Sequence, residues 1–108
     1  KTVDIEGYKS SFAYGTTGRA RGVGVFFKKD ANIEVCQEEL YQFIKFKTED
    51  ITIFCLYISK GCDFGKLVQS LCNYDFNNKD ENTFLIGDLN FDAPGNNNLS
   101  NYLSRLKF

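Results

Sequence analysis

The stretch Thr83-Phe84-Leu85-Ile86-Gly87-Asp88-Leu89-Asn90-Phe91-Asp92 decides how the chain is read. Thr83 to Ile86 is an apolar run of strand length, and a polar turn follows with a carboxylate, a carboxamide and a second carboxylate. A strand buried on both faces holds the residue just past its end more rigidly than a free loop does. Gly87 lets the backbone turn, and Asp88 projects where the sheet stops, able to take a proton from water or bind a divalent cation. Asn90, on the same side of an extended chain as Asp88, can donate hydrogen bonds to a phosphate oxygen without adding negative charge. Gly-Asp-x-Asn is also ordinary turn chemistry, since Asp and Asn bond their own backbone, so a purely structural turn stands beside the chemical reading.

Upstream of this stretch the pattern is strand, helix, strand. Ile51 to Ile58 is a nearly continuous apolar run, which predicts a central strand. Asp63 is placed to cap a helix running to about Tyr74, because Phe64, Leu67, Val68, Leu71 and Cys72 repeat at helical spacing. Asp75 to Asn82 is polar and loops back. This order makes Ile51–Ile58 and Thr83–Ile86 neighbours in one sheet, with Tyr57 and Asp88 emerging at corresponding strand ends. Tyr57 is there either to aim its hydroxyl at a ligand or as an amphipathic residue on the rim of the core.

Further upstream, Tyr8–Tyr14 and Gly22–Phe27 read as the strands of a hairpin. Arg19, Arg21, Lys28 and Lys29 lie near its ends, either as phosphate contacts or as solvated edge charges. Ile33–Cys36 is a short strand. Leu40–Lys47 alternates, with Leu40, Gln42, Ile44 and Phe46 on one side, and a Thr48-Glu49-Asp50 turn joins it antiparallel to the next strand. Downstream, Ala93 to Asn98 is a loop. Leu99, Tyr102, Leu103 and Leu106 have helical spacing, with Asn98 as the cap.

Composition narrows the function classes. The 108 residues make one domain or less, and 43% hydrophobic with 25% charged residues excludes a disordered chain. Eleven Phe and six Tyr suit sheet packing. A net charge of −1 excludes a strongly basic nucleic-acid wrapper, so phosphate chemistry would need local cations or a metal. The chain has no His, which removes the usual general base near neutral pH and the commonest transition-metal ligand. Cys36, Cys55, Cys62 and Cys72 lack zinc-like spacing and are expected to be reduced structural thiols, which predicts an intracellular setting, nuclear or cytoplasmic. No apolar run approaches the length a bilayer requires, so no membrane partner is expected.

Taken together, Arg21-Gly22-Val23-Gly24-Val25, a strand closing on Tyr57, a helix, and Phe84-Leu85-Ile86-Gly87-Asp88-Leu89-Asn90 resemble the endonuclease/exonuclease/phosphatase superfamily, above all the endonuclease domains of non-LTR retrotransposons. The likeness spans nearly the whole chain, and Gly-Asp-x-Asn is its specific part. It implies an α/β fold, part of a four-layer α/β sandwich of mixed, largely antiparallel sheets. It also implies that residues 1–108 are the central portion of a larger domain, inactive alone, since the family's upstream Asn and metal-binding Glu and its downstream Ser-Asp-His segment are not matched. Its catalytic residues would be Asp88, Asn90 and Tyr57. Asp88 would activate the attacking water and touch a metal, Asn90 would hold phosphate and water in line, and Tyr57 would bond a phosphate oxygen or support the metal shell. The implied cofactor is Mg2+ or Mn2+, and the implied substrate is a DNA phosphodiester.

Ser59 stands where many relatives have Pro, and Leu89 where Phe is frequent. Asp92 reads as a solvated turn carboxylate. The competing readings are a non-catalytic remnant or interaction module, and a phosphatase of the same superfamily acting on a lipid or inositol phosphate.

Overall fold

Residues 4–16, 22–90 and 97–108 are described by a computed structural model. In chain order the elements are β1 (Lys9–Tyr14), β2 (Gly22–Phe27), β3 (Asn32–Gln37), β4 (Tyr41–Lys47), β5 (Thr52–Ile58), α1 (Phe64–Asn73), a 3-10 turn (Phe76–Asn78), β6 (Thr83–Asp88) and α2 (Asn97–Arg105). The fold is mixed α/β. β1 and β2 form an antiparallel two-stranded sheet, and the second sheet has the order β3-β4-β5-β6.

Local chemistry sets the boundaries. Thr48 closes the β4–β5 turn, its Oγ1 accepting from the backbone N–H groups of Asp50 and Ile51, both at 3.2 Å. Asp63 caps α1 as its spacing predicts, with Oδ1 accepting from the Lys66 N–H at 3.2 Å. Asp75 ends that helix in the left-handed conformation, φ 63°. A second Asp, Asp80, shapes the entry to β6 by accepting from the Asn82 N–H at 2.8 Å and the Thr83 hydroxyl at 3.1 Å. At the other end of the chain, α2 begins at Asn97, so Asn98 is a helical residue and not the cap.

The two faces of the larger sheet are buried differently. On one face Phe43, Phe54, Leu56 and Ile58 pack with Leu67 and Leu71 of α1, with Phe76, and with Leu99, Tyr102 and Leu103 of α2. Burial of each such side chain stabilises by about 2 kcal/mol before entropy is subtracted. Phe76 meets Phe54 edge-on at 4.8 Å between ring centres and stacks on Phe108 at 5.0 Å, tying the sheet to the chain's last turn. On the other face Ile44, Cys55, Ile33, Val35 and Ile53 meet Ala13, Val23 and Val25 of the small sheet.

Covering from both sides explains why the alternation in Leu40–Lys47 does not produce one wet face. Tyr41 to Lys45 are all buried. β5 is interior, as its continuous apolar run predicts, paired antiparallel with β4 and parallel with β6.

β6 departs from expectation. Among the described residues it is an edge strand, and its burial is one-sided. Among the described residues the small sheet lies with β1 over β3 and β4 and β2 over β4 and β5. Phe84 and Ile86, the register partners of Ile53 and Cys55, lie beyond that cover and are 49% and 55% exposed. The apolar run predicts burial on both faces, but sheet position is a non-local property that a run of apolar letters does not encode.

Candidate functional site

Tyr57 and Asp88 are register partners on adjacent parallel strands, and both stand at the C-terminal ends of those strands. Because side chains alternate, Tyr57 shares the face of Ile53 and Cys55, and Asp88 shares the face of Phe84 and Ile86. The crossover through α1 thus brings side by side two residues far apart in sequence. Tyr57 is half-buried and Asp88 is exposed.

Asn90 is not on the same side of an extended chain as Asp88. Its φ is 50°, in the left-handed region that Asn tolerates, and its backbone N–H donates to Asp88 Oδ1 at 3.2 Å. This Asx turn folds the chain back, and Asn90 Nδ2 donates to the carbonyl of Ile58, the last residue of β5. Asn90 is therefore a tie between the ends of the two strands. One hydrogen of its amide is committed to backbone.

The same row continues across the sheet. Gln37 pairs with Gln42, Gln42 with Tyr57, and Tyr57 with Asp88, all on the face toward the small sheet. Gln37 Oε1 accepts from the Tyr14 N–H at 2.7 Å, which fastens the end of β1 to the row. Gln42 is fully buried, and its Nε2 donates to the carbonyls of Glu38 at 2.6 Å and Glu39 at 3.4 Å. Sequence reading passed over both glutamines as site residues. The signal for Gln42 was its place in an otherwise apolar stripe with Leu40, Ile44 and Phe46; for Gln37 there was none.

Among the described residues no three His, Cys, Asp or Glu side chains gather to hold a metal ion. Asp88 supplies one carboxylate, so the described residues by themselves do not fit a divalent cation. Arg19, Arg21 and Asp92 lie outside the described residues. Lys28 is at the end of β2, its Nζ 5.1 Å from the centre of the Tyr8 ring. A groove of about 550 Å3 runs between β6 and α2 and is lined by neither Tyr57, Asp88 nor Asn90.

The cysteines are free, with Cys36 and Cys55 buried. Burial pushes the Cys36 and Cys55 thiols up, and burial with the Asp63 charge raises Cys62 to about 11, so these three are protonated near neutral pH and poor nucleophiles. No helix among the described residues is long and apolar enough to cross a membrane.

No model of a known protein family matches the chain, and no curated protein matches it.

Proposed function

We propose that the chain is the central part of a divalent-metal-dependent phosphodiesterase of the endonuclease/exonuclease/phosphatase type, acting on DNA. The observation that supports this reading is the register of Tyr57 with Asp88, closed by the tie from Asn90 to Ile58. An exposed carboxylate, a phenol and a carboxamide stand at the adjoining ends of β5 and β6, a donor and acceptor set suited to holding a phosphodiester and orienting water. In this reading Asp88 takes the proton of the attacking water, and Asn90 and Tyr57 hold the phosphate. The cation, Mg2+ or Mn2+, would need ligands beyond the described residues, with Asp88 contributing one. The remaining layer of a four-layer sandwich would likewise come from outside them. Free thiols favour an intracellular setting.

The deciding experiment is nicking of supercoiled plasmid, with Mg2+ present, by the product of the complete reading frame that contains this chain. Asp88→Ala is expected to lower the rate by about 100-fold or more while leaving the melting temperature within a few degrees. Nicking close to wild type by that variant would sink the proposal. Preference for inositol phosphates over DNA would move the assignment to a phosphatase of the same type. The commitment of the Asn90 N–H to Asp88 and of its amide to the Ile58 carbonyl favours a second reading, a non-catalytic module whose turn ties two strand ends together. That reading predicts no Asp88-dependent rise in melting temperature when Mg2+ is added.

A further inference from the structure

Gln42 carries the one buried side-chain polar atom that has no hydrogen-bond partner among the described residues, its Oε1. The orientation of the amide is not arbitrary. Both groups facing the other end, the Glu38 and Glu39 carbonyls, are acceptors, so the NH2 must lie toward them and the oxygen away. A buried acceptor left unmet is costly, and such atoms are rare enough in folded proteins that each calls for a physical reason.

The strand register supplies one. Gln42 stands directly opposite Tyr57 on the same face, with backbones held by the β4–β5 ladder. On its other side in the row is Gln37, whose oxygen accepts from Tyr14 and whose NH2 is the competing donor. The apolar neighbours on this face, Ile44 and Cys55, offer no strong donor. Tyr57 carries the one hydroxyl in the row, and that hydroxyl has no partner among the described residues. We propose that Gln42 is a positioning residue for Tyr57, its Oε1 accepting the Tyr57 hydroxyl proton.

The consequence is directional. With its proton held toward Gln42, the Tyr57 oxygen turns its lone pairs toward the Asp88 side of the row, so in the free site it accepts from water there, and holding a phosphate oxygen requires the hydroxyl proton to swing from Gln42 to the phosphate. The role in the site rests on the proposed function; the contact itself does not.

The test is a double-mutant cycle on the melting temperature of the full chain, with Tyr57→Phe removing only the hydroxyl. In the wild-type background this change is expected to lower the melting temperature by about 4 °C, the shift that one hydrogen bond produces in a domain of this size. In a Gln42→Met background, which keeps length and removes the acceptor, the same change is expected to have almost no effect. In a Gln42→Glu background, where burial keeps the carboxyl protonated and its O–H takes over the bond to the Glu38 carbonyl, the Tyr57→Phe shift is expected to stay at about the wild-type size.

Equal Tyr57→Phe shifts in the wild-type and Gln42→Met backgrounds would overturn the proposal and leave Gln42 as a clamp on the Glu38–Glu39 turn. Should Gln42→Met fail to fold, the Gln42→Glu cycle decides, and loss of the Tyr57→Phe shift there overturns it. Coupling in the cycle without plasmid nicking would refute the nuclease reading and keep the contact. Asp88-dependent nicking without coupling would do the reverse.

Discussion

The carbonyl oxygen of Leu56 occupies the space in which a side chain on Gly87 would begin. The two are register partners on β5 and β6, and an ideal Cβ built on Gly87 collides with that oxygen. The φ of Gly87, 136°, is also one that residues with a side chain rarely adopt. The glycine of Gly-Asp-x-Asn therefore sets how closely β6 approaches β5, immediately before the residue proposed to carry the chemistry. Gly87→Ala is expected to destabilise the chain by about 2 kcal/mol or more in urea unfolding. A loss below about 0.5 kcal/mol would show that the strand ends can separate at little cost.

Lys45 is a buried cation whose work is structural. Its Nζ donates to the Tyr74 carbonyl at 2.7 Å, at the end of α1 where helix carbonyls lack partners, and lies 3.7 Å from Glu34. Lys45→Met is expected to lower stability by about 1–3 kcal/mol, because the carbonyl loses its donor. Glu34 is half-exposed, and Glu34→Gln is expected to change stability by less than about 1 kcal/mol. Equal losses in the two variants would shift the weight from the helix end to the ion pair.

Stability is expected to fall on the alkaline side. Burial raises Tyr41, Tyr74, Cys36 and Cys55. Cys62 is raised to about 11, and Tyr102 is pushed up to about 12 by burial and then by the Cys72 thiol that its hydroxyl meets. The folded state keeps these protons when the unfolded chain has begun to lose them, at about 8.5 for thiols and about 10 for phenols. The stabilisation is thus whole below about pH 8.5 and is lost as pH rises toward 11 and 12. Melting scans should show a level plateau near neutrality and a continuous decline above about pH 9. A melting temperature that holds or rises through that window would contradict the assignment of these groups as buried and neutral.

Phe84 and Ile86 present an uncovered apolar pair on an edge strand, a combination that promotes self-association. The double variant Phe84→Thr, Ile86→Thr is expected to reduce binding of a hydrophobic dye and the light scattering of concentrated solutions, with the melting temperature nearly unchanged. A drop of about 8 °C or more would mean that the two side chains are buried in solution.

Much of the architecture was legible because it is local. Thr48, Asp63 and the alternation or helical spacing of apolar residues act over a few positions, so the strands, α1 and the β4–β5 turn follow from adjacent letters. The crossover logic also predicted that Tyr57 and Asp88 would end on corresponding strand ends, since a strand, helix, strand unit has few ways to close. Three features were not legible. Phe84 and Ile86 are exposed because the small sheet stops over β5, which depends on how two sheets stack. Asn90 turns back because the Ile58 carbonyl is there to receive it, an acceptor 32 residues away. Gln42 enters the row beside Tyr57 only through strand register. Sequence by itself determined which segments become strands and helices, through backbone preference and periodicity. Tertiary structure alone decided which strand is an edge and which polar groups meet, because those depend on contacts between segments that no local pattern records.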